Sequence, residues 1–342
     1  MRARAHILLP YAFDIPEGAQ FRVGTWGAEN YKITFNLPMR VEESENSYNE
    51  TEVTIDGVKT FKGRALSIDF HKEVFNRQKG GESDPPEEEI FKAANWLLQR
   101  IRTVTGSPFI SPLGKWDTKW TLTYLNDDGS APKDEADKIR GRGIHRMDMS
   151  YCALTPELWN HINDLPADYE TPAWVTLLLD ARKLLPEIGP PIVLAAAALE
   201  TLIKNALGVL AARNNLPSGW WQWMNSRTPR ERQPSLTEEY GILLKLLSGK
   251  SLEDDTDLWE GFQNIRSARN SFVHEGVARI GKKRQPITRE EAGELVQYAE
   301  RIALFVRGLL PSESQWPIYV CNMKIEVTGR PFRPRVGPTL EN

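Results

Sequence analysis

One stretch of the chain combines residue types that could act on a phosphate group. It runs from Asn264 to Gly276, with the sequence NIRSARNSFVHEG, and its polar functional groups are Arg269, Asn270 and His274. Arg269 offers a permanent positive charge to a phosphate, and His274 offers a side chain that can take up and release a proton near neutral pH. Together they suit proton transfer beside a charged phosphodiester.

The apolar residues of this stretch predict that it forms the end of a helix. Ile265, Ala268 and Phe272 recur at helical intervals and would face a core. Gly276 is suited to ending the helix. The arginine and the histidine would therefore lie near the helix C-terminus, where the helix dipole favours positive charge.

The rest of the chain offers no competing reactive cluster. His145, Asp148 and Cys152 are three and four residues apart on a predicted strand, which does not place them on one face. No carboxylate, histidine or cysteine group has the spacing of metal ligands, so neither a metal nor a cofactor is predicted. A structural role remains open for Arg269 and His274, which could cap the helix and bond to nearby carbonyls.

The elements that must position these residues divide into two regions. The chain has 342 residues, which suggests about two domains at ~150 residues each. Residues 1–165 alternate apolar and polar residues around one acidic, proline-broken helix start, where Asp84 is predicted to cap a helix that ends before Gly106. The sequence predicts an α+β domain here, with strands at 31–37, 51–55, 58–61, 66–70, 119–125 and 144–154.

Residues 166–342 are predicted to form an all-α bundle with a short tail. Glycines, prolines and capping residues divide this region, and Thr288 with Glu291 forms a capping box. The segment 192–210 is apolar nearly all round and would lie at the centre of the bundle. The predicted helices span 174–185, 192–210, 236–247, 254–275 and 288–310, and one or two strands are predicted in the tail at 318–321 and 324–327.

Composition excludes several classes of protein. A net charge of −3 excludes a protein whose whole surface is basic, so any contact with nucleic acid would be made by a local basic patch. No uninterrupted apolar run reaches the ~18 residues that a membrane span requires. The two cysteines, Cys152 and Cys321, fit a reducing compartment, and a cytoplasmic location is predicted.

The motif resembles that of HEPN domains. Arg269-Asn270-x-x-x-His274 matches the arginine, the polar residue that follows it, and the histidine of that family's R-x(4–6)-H signature. The string ARNSFVHEG and the upstream helix containing Leu199-Glu200 are most similar to the Apea-like HEPN branch. The resemblance covers about residues 170–310, and residues 1–165 resemble no family that we can name.

The resemblance implies a metal-independent endoribonuclease that acts as a homodimer on RNA. In that family the 2′-hydroxyl attacks the adjacent phosphodiester in a cleft shared by two protomers, leaving a cyclic phosphate and a 5′-hydroxyl. Arg269 would stabilise the charged phosphorane, His274 would move a proton, and Asn270 would orient the pair or contact the phosphate. Glu200 would support the site by anchoring Arg269. Such domains often act as toxins or in antiphage defence.

Two further features are candidates for binding RNA. The loop after the motif is rich in basic residues and has no acidic residue between Gly276 and Arg289, so Lys282, Lys283 and Arg284 are predicted to hold the RNA backbone; a solvated loop is the alternative. A second segment, residues 220–232, combines tryptophans with arginines as single-strand binders do, although packing of the tryptophans on the bundle is favoured.

Two other functions remain as alternatives. The bundle could be a non-catalytic module for dimerisation or for binding nucleotide or RNA, as in inactive members of the family. An active site in residues 1–165 is a third option. The first domain would sense a signal, select the target or restrain the activity of the second domain. It would do so through a regulatory partner or ligand that the sequence does not identify.

Overall fold

The chain forms two compact units, one made of residues 1–169 with 319–342 and the other of residues 170–318. Strands dominate the first unit and helices the second, which confirms the α+β class. The division falls close to the predicted boundary at residue 165. The computed structural model describes residues 1–40, 52–76, 83–126, 129–130, 138–141, 151–217, 219–220, 234–281, 284–317 and 325–328.

The first unit is built on a largely antiparallel sheet. Among the described residues its strands are β1 (Arg2–Pro16), β2 (Gly24–Gly27), β3 (Lys32–Phe35), β4 (Glu52–Ile55), β5 (Val58–His71), β6 (Trp120–Leu125), β7 (Lys138–Gly141), β8 (Tyr151–Ala153) and β11 (Ile325–Thr328). The main path runs β11-β4-β5-β1-β6-β7, with β3 also beside β5, β2 beside β3, and β8 parallel to β1. A hairpin turn at Asp56-Gly57 joins β4 to β5, between the strands predicted at 51–55 and 58–61.

Two helices pack on one face of this sheet. They are α1 (Glu87–Thr105) and α2 (Pro156–Asp164), and their apolar residues share a core with the alternating buried positions of β1. Gly106 ends α1 in the left-handed conformation, as predicted, and the Thr155 side chain caps α2 by accepting a hydrogen bond from the Leu158 N–H.

The predicted cap of α1 is wrong. Pro86 occupies the N-cap position, and no side chain bonds to the helix start there. Asp84 is instead buried, where it accepts hydrogen bonds from the Tyr31 hydroxyl, from Lys72 Nζ at 3.0 Å and from the backbone N–H of Asn76 at 2.8 Å. The carboxylate is therefore used within the core of the first unit, where these three donors compensate its negative charge.

The second unit is a helical bundle with a small hairpin. Its helices are α3 (Ala173–Leu184), α4 (Gly189–Arg213), α5 (Leu236–Glu238), α6 (Leu244–Ser248), α7 (Thr256–Glu275) and α8 (Arg289–Leu309), and the hairpin strands are β9 (Arg279–Ile280) and β10 (Gln285–Pro286). A π turn over Glu239–Leu243 joins α5 to α6. The predicted Thr288–Glu291 capping box is present at the start of α8.

Helix α4 supplies the core positions of the bundle, as its composition predicts. Leu199, Leu202, Ile203 and Leu207 are nearly or fully buried. Within the described residues it is also the one helix long and apolar enough to cross a membrane, although half of its apolar window is buried inside the bundle. Core helices of soluble proteins have the same composition, so this helix is no sign of a membrane protein.

The C-terminal tail differs from its predicted assignment. Strand β11 pairs antiparallel with β4 in the sheet of the first unit, from Ile325 against Ile55 to Thr328 against Glu52. Backbone groups at a sheet edge need partners, and the tail supplies them to β4. Its residues therefore extend the first unit rather than the helical domain to which the sequence assigned them.

Candidate active site

Helix α7 carries the Arg-Asn-His motif and is fixed at both ends. The Asp255 carboxylate accepts a hydrogen bond from the Leu258 N–H at 3.1 Å, and Gly276 ends the helix with φ 74° while its N–H donates to the Phe272 carbonyl at 2.8 Å. The Phe272 ring lies against Gly189 at the start of α4, where an added Cβ would come within 2.0 Å of the ring. The motif is thus held against α4.

The three motif residues lie on the accessible side of α7. Arg269 is half-buried, and one of its guanidinium nitrogens donates to Asn270 Oδ1 at 3.0 Å. Asn270 and His274 are exposed and four residues apart, which places them on one face of the helix. No carboxylate among the described residues pairs with Arg269, so its charge is available to an anion.

A small cleft opens beside Arg269 and Asn270. It lies between α4, α5 and α7, and its volume is about 200 Å³. Its lining residues are Val193, Ala196, Ala197, Glu200, Leu236, Arg266, Arg269 and Asn270. Three residues predicted from the sequence, Glu200, Arg269 and Asn270, therefore meet around one cavity. His274 is outside this lining.

Arg266 is a site residue that the sequence analysis did not identify. It precedes Arg269 by three residues, close to one turn of α7, and lines the same cleft. Its Nη1 donates to Thr237 Oγ1 at 2.5 Å and to Gln263 Oε1 at 3.2 Å, and its guanidinium lies 5.5 Å from the centre of the Phe262 ring. Burial lowers its pKa, and no described carboxylate pairs with it. Two arginines without a described counter-charge thus share one cavity wall.

Glu200 does not make the predicted contact with Arg269. Its Oε1 pairs with Lys204 Nζ at 2.7 Å, one turn along α4, and 47% of its side chain is exposed. Because the carboxylate reaches solvent, it does not need an arginine partner from α7 to offset burial. Glu200 therefore lies at the cleft as an acceptor that shares its charge with Lys204, rather than as an anchor for Arg269.

The basic loop after the motif is partly neutralised. The Arg284 guanidinium pairs with Glu275, and Arg279 lies 3.7 Å from the same carboxylate. Lys282 and Lys283 lie outside the described residues, as do the tryptophans and arginines of 221–232. RNA binding by Lys282, Lys283 and Arg284 stays a prediction, and the pairing of Arg284 reduces the charge it can offer.

A buried carboxyl group lies near the Glu200–Lys204 pair. Glu239 begins the π turn and is 1% exposed, and its Oε2 has no hydrogen-bond partner among the described residues. Burial raises its pKa to about 7, with Lys204 opposing the shift and Glu200 adding to it. Glu239 was not predicted as a site residue, because its burial depends on tertiary packing around the π turn.

Replacing Glu239 with Gln is expected to stabilise the protein above pH 7. The pKa of Glu239 is about 7 in the folded chain and about 4.5 when exposed. The folded state therefore holds this proton more tightly, so stability falls as pH rises from about 4.5 to 7 and the loss persists above pH 7. Urea unfolding at pH 5 and pH 8 should show a gain of about 1–3 kcal/mol for Glu239→Gln at pH 8 only. Glu260→Gln, at an exposed position of α7, is the control; parallel pH profiles for wild type and Glu239→Gln would contradict the expectation.

Comparisons with known proteins add no assignment to this site. No protein-family model, no curated protein and no solved structure matches the chain. Among the described residues, no group of three or more histidine, cysteine, aspartate or glutamate side chains is placed to hold a metal ion. The resemblance to HEPN domains therefore rests on the motif residues themselves, and the bundle's membership of that family is a prediction.

Proposed function

We propose that the protein is an endoribonuclease whose active site is centred on Arg269 and His274 of α7. The observation that carries the proposal is the state of these side chains. Arg269 is oriented by Asn270 and has no described counter-charge, and His274 is exposed one helical turn beyond Asn270. A guanidinium stabilises charge that develops on a phosphate, and an imidazole moves protons near neutral pH. RNA supplies the nucleophile itself, as the 2′-hydroxyl beside each phosphodiester.

Each group has a distinct part in this reaction. The 2′-oxygen attacks the adjacent phosphorus as its proton is removed, and the bond from phosphorus to the 5′-oxygen breaks as that oxygen gains a proton. Arg269 stabilises the negative charge on the pentacoordinate phosphorus, while Asn270 fixes the guanidinium. His274 transfers one of the two protons. The products are a 2′,3′-cyclic phosphate and a 5′-hydroxyl, with no change in oxidation state.

The proposal includes a homodimer. A single arginine and histidine offer little around a phosphodiester, whereas two pairs related by a twofold axis would form a basic cleft. Val273 and Val277 flank His274 and are 51% and 39% exposed. In the proposed dimer these two side chains would lie in the interface beside the shared site. A cytoplasmic role as a toxin or in antiphage defence belongs to the same proposal.

Cleavage and assembly can be tested on one sample. Purified protein is expected to cleave single-stranded RNA and to have the mass of a dimer by light scattering at micromolar concentration. Val273→Asp should weaken the dimer and reduce cleavage together, because it places a charge in the proposed interface. Val58→Asp, at an exposed position of the first unit, is the matched control. A monomer that cleaves RNA at full rate would contradict the shared site.

The non-catalytic alternative has one observation in its favour. His274 is not part of the cleft lining, so Arg266, Arg269 and Asn270 could bind a phosphate group without reaction. In that case the protein would bind RNA or nucleotides through the same residues, and incubation with RNA would leave the strands intact.

A further inference from the structure

The cleft beside the motif has two chemically different sides. Arg266 and Arg269 of α7 present N–H donors, whereas Glu200 of α4 presents carboxylate acceptors. The remaining wall is apolar and formed by small or branched side chains, which are Val193, Ala196, Ala197 and Leu236. A ligand that matches this lining has apolar surface together with acceptors for the arginines and donors for the glutamate.

The hydrogen-bonding capacity of Arg266 is only partly used. A guanidinium has five N–H donors, and Thr237 and Gln263 accept from Nη1 alone. The Nε and Nη2 donors have no described partner, although the side chain is partly buried and its position is fixed over Phe262. A partly buried donor group that is held in place is suited to binding an acceptor pair.

The size of the cleft limits the ligand. About 200 Å³ corresponds to about seven water molecules at ~30 Å³ each. A nucleobase fits such a space, whereas a nucleotide with its sugar and phosphate would extend out of it. Arg269 and Asn270 line the same cleft, so the phosphate of that nucleotide would remain beside the proposed catalytic residues.

We infer that this cleft binds a guanine base, with Arg266 donating to its O6 and N7 and Glu200 accepting from its N1–H and exocyclic amine. Guanine combines an acceptor pair on one edge with two adjacent donors on the next, and arginine binds O6 and N7 as a fork. Adenine, cytosine and uracil each present fewer donors to a carboxylate. The inference rests on the proposed function in one respect, namely that the guanosine belongs to the RNA substrate next to the cleaved bond.

Binding measurements test the guanine site without relying on cleavage. Isothermal titration with the four nucleoside 3′-monophosphates should show guanosine binding roughly 10–100-fold more tightly than the others. Inosine 3′-monophosphate, which lacks the exocyclic amine, should bind at least several-fold more weakly than guanosine. Glu200→Gln should remove the difference between guanosine and inosine, and Arg266→Lys should weaken guanosine because an ammonium cannot reproduce the fork. Glu260→Gln removes the same charge from an exposed site on α7 and should behave as wild type.

The outcomes separate this inference from the nuclease proposal. Equal binding of all four nucleotides, or an unchanged guanosine preference in Glu200→Gln, would overturn the guanine site even if RNA is cleaved. Guanosine preference that depends on Glu200, without any cleavage, would support the guanine site and contradict the nuclease. A tetraribonucleotide with one guanosine should bind more tightly than the free 3′-monophosphate. If it does not, the ligand of the cleft is a free guanine nucleotide, and the inference that the guanosine belongs to an RNA substrate is wrong.

Discussion

Replacing the ribose 2′-hydroxyl beside the cleaved bond with a methoxy group is expected to abolish cleavage by this protein. The proposed reaction uses that hydroxyl as its nucleophile, and a methoxy group cannot attack. An intramolecular nucleophile acts at an effective concentration on the order of 10⁵–10⁸ M, so its loss should reduce the rate by more than about 10⁴-fold. DNA of the same sequence should be spared for the same reason.

The measurement compares three oligonucleotides that differ at one sugar. Ribose, 2′-O-methylribose and deoxyribose at the cleaved position are incubated with the protein in EDTA, and the ends of the products are identified by mass. Ribose should give a 2′,3′-cyclic phosphate and a 5′-hydroxyl at the same rate with or without EDTA. A methoxy group two nucleotides away is the control and should leave cleavage intact. Cleavage of the methylated bond would show that a different nucleophile operates, and a requirement for a divalent cation would contradict the proposed metal-independent reaction.

Local signals in the sequence predicted the helix that holds the candidate site. Asp255 begins α7 and Gly276 ends it in the left-handed conformation, both as the capping residues indicate. Gly249 ends α6 in the same way. These features depend on the backbone within a few residues, so a short window of sequence contains the information.

The central strand of the first unit was not predicted, although its pattern alternates. In β1 the buried positions Ala3, Ala5, Ile7 and Leu9 point to the core. Alanine is uncommon in strands, and charged residues, Arg2 and Arg4, alternate with the two alanines, so the local preference for a strand is weak at the start of β1. Pairing with β5 and β6 on both sides stabilises it, and those partners are about 60 and 120 residues away along the chain. Tertiary contacts of this kind are not visible in a short window.

The cleft was predicted only in part for a similar reason. Arg269 and Asn270 carry a motif, but Arg266 has none, and its role depends on which face of α7 meets α4 and α5. The predicted anchoring of Arg269 by Glu200 assumed that the glutamate would be buried. It reaches solvent beside Lys204 instead, because this face of α4 is left open in the bundle.

Removing either motif side chain is expected to have the largest effect of any single substitution at the site. Arg269→Ala should remove stabilisation of the charged phosphorus, and His274→Ala should remove proton transfer. Each effect is worth roughly 10²–10⁴-fold in the cleavage rate. Arg269→Lys retains the charge but loses the planar fork, so its rate should lie between those of wild type and Arg269→Ala.

The same substitutions should leave the fold intact, which separates a catalytic pair from a structural one. His274 is exposed, and the one described hydrogen bond from the Arg269 side chain is to Asn270, so each replacement should change stability by no more than about 0.5 kcal/mol. Arg213→Ala removes an exposed positive charge from the end of α4 and is the matched control for net charge. Single-turnover cleavage should be measured together with thermal unfolding, so that a loss of rate is compared with any loss of stability in the same variant. Full activity in both alanine variants would contradict the nuclease, whereas unfolding of both would assign the pair to capping the helix.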